Sequence, residues 1–440
     1  MKNTSSFQIA LLASFGALAI AGVIIFSFYI SKGPETAVGP VVVWGTFEEQ
    51  AVLAALAELS STQPNLQNVT YVQKSEAAYS VELLNAFASG SSPDLFFLTE
   101  EQAYVEKSRV AQIPMTEITP ELFGTAFVDG AQPFLDLEGT IALPVVVDPL
   151  VLYWNKDLLA AAGFSKPPQY WDELLDYSQR LTKKSESGSL ERSAISFGAY
   201  SNVDHAKEIL TMLMIQAGGS ITARDGSGRL VAALLAQNRG AAASAAVPSA
   251  VRFYTEFADP SKPGYSWNRS FPRSQRAFVS GTLALYVGRA SELLALKAAN
   301  PNLNFAVAPV PQIRGVGTSA GGLIATGGVV YGIAMPKAAK NPRGALVIQW
   351  LLSSKEVSAA LSKSLGMPSA RRDVLDEQRR SRETDLLATQ AIITRSWTDP
   401  DPAKTDTIFR AMIEDMTSGS VLLSEAITRA DQQINGLVGI

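Results

Sequence analysis

Short apolar runs that are typical of buried strands alternate with segments of helical periodicity along most of this chain. The first run, Val41–Trp44, ends at a glycine, and the segment after it carries an apolar stripe with helical spacing. Asp94–Leu98 repeats the arrangement and is followed by Thr99 and Gln102 at the spacing of a capping box. This alternation predicts an α/β body with a mostly parallel sheet.

The pattern begins again in the middle of the chain, after Leu143–Val147. Val151–Trp154 is a second-series strand candidate, and Asp172–Leu181 is a helix candidate. A chain of 440 residues is long enough for two or three compact units. The restart therefore indicates two bodies of similar construction.

Before the first strand, residues 9–30 form an uncharged apolar run without proline. As a helix this run is about 33 Å long, which is enough to cross the ~30 Å hydrocarbon core of a membrane. Lys2 precedes it and Lys32 follows it, so the positive-inside rule favours cytoplasmic residues 1–8 and an exported body. We expect one transmembrane anchor and then a linker, residues 31–40. The alternative interpretation is a long signal peptide that is removed.

Composition excludes several kinds of chemistry. The chain has no Cys, which excludes disulfides, thiolate metal sites and a lipid-modified cysteine, and its one His excludes sites that need two. A formal net charge of −4 gives no basic excess for nucleic acid. Residues 315–320 match a dinucleotide-binding pattern but lack a preceding strand. We expect no cofactor, no metal and no nucleic-acid partner, and we interpret His205 as a surface or capping residue.

Five segments, spread in order over residues 41–375, carry a resemblance to a known family. They read VVVWGTFEEQAV, SGSSPDLFFLTEE, LPVVVDPLVLYWNKDLLAAAGFSKPPQYWDELLDYSQRLT, RAFVSGTLALYVG and LGMPSARRDV. The chain resembles the bacterial extracellular solute-binding proteins of ABC importers, of the maltose-binding-protein class. The third segment matches its block of the family closely, and the order of all five makes the resemblance specific.

The resemblance implies a two-lobed, periplasmic-binding-protein-like fold of type II, with a hinge and a cleft between the lobes. The first lobe would comprise 41–147 and 312–340, and the second lobe 148–308 and 346–440. A monomer of this fold would capture a carbohydrate or another polar small molecule by hinge closure and deliver it to membrane permease subunits. The binding body would lie on the extracytoplasmic side of the cell membrane.

Two other functions stay open. One is an exported enzyme of glycosidase type that uses paired carboxylates, for which Glu48, Glu100 and Asp148 are the candidates. The other is a surface adaptor that keeps the fold without a ligand, because the chain lacks aromatic residues at several positions where the family has them. Val329 is one such position, since it follows the late Gly-Gly pair where the family often has Trp.

Candidate ligand contacts lie where strands of the predicted sheet end, because open α/β sheets bind ligands at that edge. Thr46, Phe47 and Glu48 follow the first strand, and Thr99 and Glu100 follow the third. Phe47 would stack on a sugar face, and the carboxylates would accept hydrogen bonds from hydroxyl groups. The structural alternative is that Thr46 opens a capping box at the first helix.

Further candidates come from the middle and the end of the chain. Asp148 directly precedes a proline at the expected hinge, where the family often places an acidic residue against the ligand. Trp267 lies in a polar, proline-flanked stretch and would stack on the ligand or cover the surface. Arg289 would favour an anionic ligand. The resemblance adds Gly328 and Tyr331, in the late Gly-Gly segment.

Overall fold

A computed structural model of the protein describes residues 38–235, 241–315 and 322–438. By its contacts the chain divides into Met1–Gly39 and Pro40–Ile440, and the described helices and strands belong to the second unit. Within the described part, no helix is both long and apolar enough to cross a membrane.

Two expectations concern residues outside this description. The predicted membrane anchor, residues 9–30, lies there together with the cytoplasmic N-terminus and most of the linker. Five of the six residues of the glycine-rich stretch at 315–320 lie there as well. The sequence remains the basis for both of these expectations.

The described part contains thirteen strands and sixteen α-helices. The strands are β1 Val41–Gly45, β2 Val69–Gln73, β3 Leu95–Thr99, β4 Ile113–Pro114, β5 Gly139–Thr140, β6 Leu143–Asn155, β7 Lys183–Lys184, β8 Leu190–Ile195, β9 Thr222–Arg224, β10 Leu230–Ala232, β11 Leu283–Arg289, β12 Phe305–Ala308 and β13 Gly328–Ala334. The helices are α1 Glu49–Leu59, α2 Tyr79–Ser89, α3 Ala103–Glu106, α4 Pro120–Ala126, α5 Lys156–Ala161, α6 Leu174–Leu181, α7 Ala206–Gln216, α8 Ala241–Glu256, α9 Ser274–Val279, α10 Glu292–Ala299, α11 Pro342–Leu352, α12 Lys355–Leu365, α13 Arg372–Gln378, α14 Asp385–Ile392, α15 Pro402–Thr417 and α16 Leu423–Val438. Short 3₁₀ helices cover Pro64–Asn68, Glu100–Gln102, Asp129–Phe134 and Trp171–Glu173.

The first helix is capped by a different residue from the one predicted. α1 begins at Glu49 because the carboxylate of Glu48 accepts hydrogen bonds from the N–H groups of the second and third helical residues. The predicted capping box at Thr46 is therefore wrong, since Thr46 precedes the helix by three residues. A charged N-cap also suits the positive end of the helix dipole.

One long strand, β6, joins the two halves of the sheet. The strand order is β2-β1-β3-β13-β6-β11-β8-β7, with β12 also paired to β6. From Leu143 to Pro149 the strand pairs with β13, and from Leu150 to Asn155 it pairs with β11 and β12. We call the body around β1, β2, β3 and β13 the first lobe and the body around β7, β8, β11 and β12 the second lobe. β6 thus belongs to both half-sheets, and we call β6 and β13, which starts beside its midpoint, the crossing strands.

Strand directions differ from the predicted, mostly parallel sheet. The pairs β1–β2, β1–β3 and β8–β11 are parallel, whereas every pairing of β6, β7 and β13 is antiparallel. The antiparallel pairing of β13 with β6 means that β13 runs back alongside the crossing strand. A mixed sheet results, with its parallel part confined to the outer strands of each lobe.

The last hundred residues divide between the lobes. α11 packs on β1 and β13, and α12 packs along α1, so Pro342–Leu365 belongs with the first lobe. α15 and α16 pack on each other and on α8 in the second lobe. The predicted division, which placed 346–440 wholly in the second lobe, differs from this packing. The reason is that Ala345, Ile348 and Leu352 of α11 are buried against the first half-sheet.

Candidate functional site

A small cavity lies where the two lobes meet, beside the crossing strands. Its wall combines the end of β3, the first half of α7, the start of β13 and the loop between α14 and α15. The lining residues are Glu100, Glu101, Glu208, Thr211, Gly327, Gly328, Arg395, Ser396 and Trp397. The free space there is about the size of one water molecule, and it is partly open to solvent. The carboxyl end of a strand faces this space, as is usual for ligand sites in open α/β sheets.

Glu100 is the most deeply buried acid of this wall, with 2% of its surface exposed. It leaves the end of β3 because Thr99 and Gln102 form a reciprocal capping box, which confirms the cap predicted there. One carboxylate oxygen accepts the N–H of Val330 at 2.7 Å and so ties β3 to β13. Burial and the neighbouring charge of Glu101 raise the pKa of Glu100 well above its usual range, which favours the protonated acid.

On the second lobe, Glu208 and Arg289 form a buried, bidentate ion pair. The Nη2 of Arg289 lies 2.6 Å from Oε1 of Glu208, and its Nε donates to Oε2 at 3.2 Å. Burial raises the pKa of Glu208, but the Arg289 guanidinium and the His205 ring together hold that pKa well below its usual range. Because its guanidinium is already neutralised, the predicted preference of Arg289 for an anionic ligand has no support in this geometry.

His205 stands at the N-cap position of α7 with a left-handed backbone, φ 59°. Its Nε2 contacts Glu292, and its Nδ1 lies 3.5 Å from a Glu208 oxygen. Burial lowers its pKa, but hydrogen bonds to these carboxylates raise it to about 9, so the ring is charged at neutral pH. The side chain therefore joins two acids, and it does not cap the helix or lie on the surface as expected.

Asp148, the polar candidate at the expected hinge, is buried within β6. Its two oxygens accept the N–H of Ser291 at 2.9 Å and the hydroxyl of Ser291 at 2.6 Å. Burial raises its pKa, while the Arg289 charge lowers it. Asp148 is absent from the cavity lining and holds the crossing strand to the loop before α10, so its ligand contact stays a prediction.

The aromatic candidates of the first lobe pack on each other. The ring of Phe47 lies edge-on to Tyr331 at 4.8 Å between centroids and to Phe97 at 5.1 Å. Phe47 is 7% exposed and is not part of the cavity lining, so it belongs to the core in this structure and offers no free face to a sugar. Thr46 lies beside it half-buried, and the exposed Glu48 caps α1.

Gly328 is a predicted residue that does line the cavity. Its φ is +149°, and a Cβ there would lie 2.6 Å from the carbonyl oxygen of Asp148 and from Cα of Pro149. Only glycine allows β13 to start this close to β6. The adjacent Gly327 also lines the cavity, so the Gly-Gly pair forms the floor where the chain crosses between lobes.

Trp267 does not lie at the ligand edge, and its prediction as a stacking residue is wrong. The side chain is fully buried in the second lobe and stacks on Phe271 at 4.6 Å between centroids. Its Nε1 donates to Oδ1 of Asn202 at 3.1 Å. The polar stretch around it folds into a loop in which the N–H groups of Ser266 and Trp267 donate to the carbonyl of Phe257. The polar residues that flank Trp267 in sequence therefore gave a wrong indication of its exposure.

Sequence reasoning missed Glu208, Thr211 and the loop that carries Arg395, Ser396 and Trp397. Trp397 lies in a polar stretch that leads into Pro400 and Pro402, a signal close to the one that misdirected the interpretation of Trp267.

Lys207 packs beside this loop. Its Nζ lies 2.6 Å from Asp399, 3.3 Å from Glu101 of the first lobe and 5.6 Å from the centre of the Trp397 ring.

Acids of the first lobe form ion pairs with a residue of the second lobe and with Arg395 of the cavity wall. Arg224, on β9 of the second lobe, lies 2.7 Å from Asp136 of the first lobe, and Lys107 lies 3.4 Å from the other oxygen of Asp136. Arg395 pairs with Asp129 at 2.7 Å. The Arg224–Asp136 pair therefore links the lobes directly, while Asp129 is shared by Arg395 and Arg372, which lies 2.6 Å from its other oxygen.

Comparison with sequence families gives one match over most of the chain. The model of the family described as bacterial extracellular solute-binding protein matches residues 44–357. Among curated proteins, the putative ABC transporter periplasmic-binding protein YcjN of Escherichia coli strain K12 is 28% identical over 140 residues. That match covers 30% of this chain and 32% of the relative, so it spans about a third of the relative's length.

Solved structures share the fold over nearly the whole chain. The GacH receptor of Streptomyces glaucescens has a TM-score of 0.68 and 20% identity, covering 91% of this chain and 98% of the receptor. The sugar-binding protein MalE of Xanthomonas citri has a TM-score of 0.69 and 18% identity, covering 91% and 97%. The cyclic α-maltosyl-1,6-maltose binding protein of Arthrobacter globiformis has 0.70 and 18%, covering 91% and 99%. These values establish the two-lobed α/β fold.

Proposed function

Because the chain belongs to the bacterial extracellular solute-binding protein family of ABC importers, we propose that it binds a carbohydrate or another polar small molecule between its lobes and delivers it to a permease. The observation that carries this proposal is the cavity at the lobe junction, whose wall takes residues from both lobes and from the crossing Gly-Gly segment. A ligand held there would touch both lobes at once. Binding would therefore favour the closed form over the open one.

The size of the cavity implies that the lobes open to admit a ligand. The free space is about one water molecule in size, too small for a sugar. The hinge for such a motion would be the crossing pair β6 and β13, where Gly328 meets Pro149. Glycine tolerates the backbone changes that hinge residues absorb, so a rotation here would separate Glu100 from Glu208 without breaking either half-sheet.

The proposal is tested by ligand-dependent stabilisation and closure. Monosaccharides, disaccharides, maltodextrins and polyols are added at millimolar concentration to the purified body, residues 40–440, and the melting temperature is recorded. A sugar present at a hundred times its Kd stabilises the folded state by about 2.7 kcal/mol, which raises the melting temperature by several degrees. A hit is followed by small-angle scattering, where ligand reduces the radius of gyration. A protein that no compound stabilises would contradict sugar capture and favour the ligand-free adaptor.

We propose that the protein makes and breaks no bond. Of the three acids considered for a glycosidase pair, Glu48 is exposed and engaged in capping α1, and Asp148 binds Ser291 with both oxygens. Of these three candidates, Glu100 alone lines the cavity, where Glu101 and Glu208 lie with it, and Glu208 is bound by Arg289. Turnover of a chromogenic glycoside that is abolished by Glu100→Gln would contradict this part of the proposal.

We further propose that residues 9–30 tether the binding body to the outer face of the cell membrane as a monomer, with residues 1–8 in the cytoplasm. The support is the length of the uncharged run and the absence of any Cys for a lipid anchor. Fractionation of expressing cells and N-terminal sequencing test this. A mature N-terminus near residue 38 in the soluble fraction would indicate a cleaved signal peptide.

A further inference from the structure

Trp397 is the one aromatic residue among the described residues that line the cavity. The aromatic candidates of the sequence are taken up elsewhere, since Phe47 packs on Tyr331 and Trp267 lies in the core of the second lobe. Trp397 keeps part of its surface exposed. An aromatic surface can therefore be offered to a ligand from this wall only through Trp397, as far as the described residues go.

The indole ring is held in place by contacts with the second lobe. The ring of Phe409, in α15, meets it at 81° with 6.2 Å between the centroids. Lys207 lies over the indole with its Nζ 5.6 Å from the ring centre, and this lysine is fixed by Asp399 at 2.6 Å. A side chain restrained in this way loses little conformational freedom when a ligand packs on it.

The indole N–H of Trp397 is a donor that the protein leaves free. Among the described residues its Nε1 has no hydrogen-bond acceptor, whereas the Nε1 groups of the buried Trp171 and Trp267 donate to Gln216 and Asn202. An indole N–H usually finds a partner once the ring is covered. A ligand that covers Trp397 would therefore gain by bringing an acceptor, such as a hydroxyl or ring oxygen of a sugar.

The other side-chain donors of the wall are mostly engaged by the protein itself. Thr211 donates its hydroxyl to carbonyls of its own helix, and Ser396 donates to the carbonyl of Gly130. Arg395 pairs with Asp129 and donates to two carbonyls of its own loop. The wall thus combines few free donors with a partly exposed ring, so we expect an apolar face of the ligand to contribute to recognition.

Trp397 also lies where the chain passes from one lobe to the other. Before it, the hydroxyl of Ser396 binds the carbonyl of Gly130 in the first lobe. After it, the carbonyl of Thr398 accepts the hydroxyl of Thr222, in β9 of the second lobe, at 2.7 Å. A rotation of the lobes would therefore act on the backbone at Trp397 and change the surroundings of its indole.

We propose that a pyranose ring of the ligand packs its C–H face on the indole of Trp397, and that the indole N–H donates to an oxygen of the same sugar. This inference rests on the proposed capture of a carbohydrate, and it narrows the ligand to sugars with an intact ring. A rigid pyranose gathers C–H groups on one face, which suits an aromatic surface. An open-chain polyol carries hydroxyl groups along its whole length and has no such face.

The experiment compares ring sugars with their reduced, open-chain partners on the folded body, residues 40–440. The pairs are glucose with glucitol, mannose with mannitol and galactose with galactitol, titrated by calorimetry at pH 7. Maltotriose is added as a ligand with three rings, for which the variants alone give the comparison. Tryptophan emission is recorded in the same titrations.

Two variants separate the ring from its N–H group. Trp397→Leu removes the aromatic face, and Trp397→Phe keeps a ring without the donor. The same two changes at Trp44 are the matched control, because that ring is also half-buried beneath a lysine, with Lys74 Nζ at 3.9 Å, and is absent from the cavity lining. Urea denaturation shows whether each variant folds. If Trp397→Leu does not fold, Trp397→Phe and the emission decide.

We expect a ring sugar to bind at least tenfold more tightly than its reduced partner. Trp397→Leu should lower the affinity for ring sugars at least tenfold and Trp397→Phe about fivefold, while the changes at Trp44 leave it unaltered. Binding should change the tryptophan emission of the wild type and of Trp44→Phe, and Trp397→Phe should lose that change.

The two levels of the proposal fail in different ways. If ring sugars bind but their reduced partners bind as tightly, or if the variants at Trp397 keep the affinity and the emission change, the inference is overturned while carbohydrate capture stands. If none of these compounds binds, the capture of a carbohydrate and the role of Trp397 fail together.

Discussion

The half-buried His205 makes the stability of the fold depend on pH. It is the single histidine of the chain and lies between Glu208 and Glu292, with Arg289 beyond Glu208. Its pKa is raised from an unfolded value of 6.5 to about 9. The stabilisation of the fold by the protonated imidazole is therefore fully present below pH 6.5 and is lost as the pH rises through about 9. Tyr286, which also binds Glu292, has a raised pKa and stays protonated in this range.

We predict that the free energy of unfolding falls by up to about 3 kcal/mol between pH 6.5 and pH 9.5 through this residue. Urea denaturation at steps of pH measures the fall, and His205→Gln should flatten it. The one imidazole also gives a resolved NMR titration. A midpoint near pH 6.5 in that titration would show that the two acids do not hold the proton.

The Glu208–Arg289 pair makes a second prediction for single residues. Arg289→Met leaves a buried carboxylate without its main partner, so we expect a loss of about 3–5 kcal/mol in urea denaturation. The double variant Glu208→Gln with Arg289→Met removes the stranded charge and should lose less than the sum of the two single changes. Strict additivity of the two losses would mean that the pair is not energetically coupled.

Individual site residues differ in how well the sequence predicts them. Glu100 follows a buried strand in an α/β pattern, and this position alone places it at the ligand edge. Trp267 and Trp397 both lie in polar stretches next to prolines, yet one is in the core and the other at the cavity. The difference comes from contacts distant in sequence, Asn202 for the first and Lys207 for the second, which local pattern does not encode.

At the scale of elements, the close start of β13 against β6 depends on glycine. Gly328→Ala places a Cβ 2.6 Å from the Asp148 carbonyl oxygen and strains a backbone at φ +149°. We predict a loss of at least about 2 kcal/mol in unfolding free energy. Gly124→Ala is the matched control, because its Cβ meets open space in α4 and should stabilise by up to about 1 kcal/mol. An unchanged stability for Gly328→Ala would mean that the crossing strands separate at little cost.

Most elements followed from sequence pattern, but the continuity of the crossing strand did not. Leu143–Val147 and Val151–Trp154 were predicted as separate strands on either side of the expected hinge at Asp148, because the pattern begins again there. The structure runs them together as β6, since the proline faces Gly328 and each half pairs with a different lobe. The apolar segment Pro342–Leu352 forms α11, and the lobe that it covers is decided by its packing on β1 and β13.

At the scale of the whole molecule, the lobes meet at a pocket whose free space is about that of one water, and an ion pair between Arg224 and Asp136 links them. Arg224 and Asp136 are the most informative of these pairs. Asp136 is 8% exposed and keeps Lys107 as a partner when Arg224 is removed. Burial raises the pKa of Asp136, but hydrogen bonds and these two cations hold it below its usual value. Loss of the arginine therefore strands no charge and acts mainly on the contact between lobes.

We predict that Arg224→Met shifts the population toward the open form. The radius of gyration without ligand should increase in small-angle scattering. A partly buried ion pair of this kind contributes about 1 kcal/mol, so a sugar that binds the closed form should lose about fivefold in affinity. Arg229→Met, on the same β9–β10 hairpin, removes only an exposed pair with Asp225 and should change neither quantity. Since salt screens the interlobe pair, the wild-type protein should also open as ionic strength rises, and the variant should open less. An identical radius of gyration for both proteins at every salt concentration would mean that packing of apolar side chains, and not this ion pair, decides the closed state.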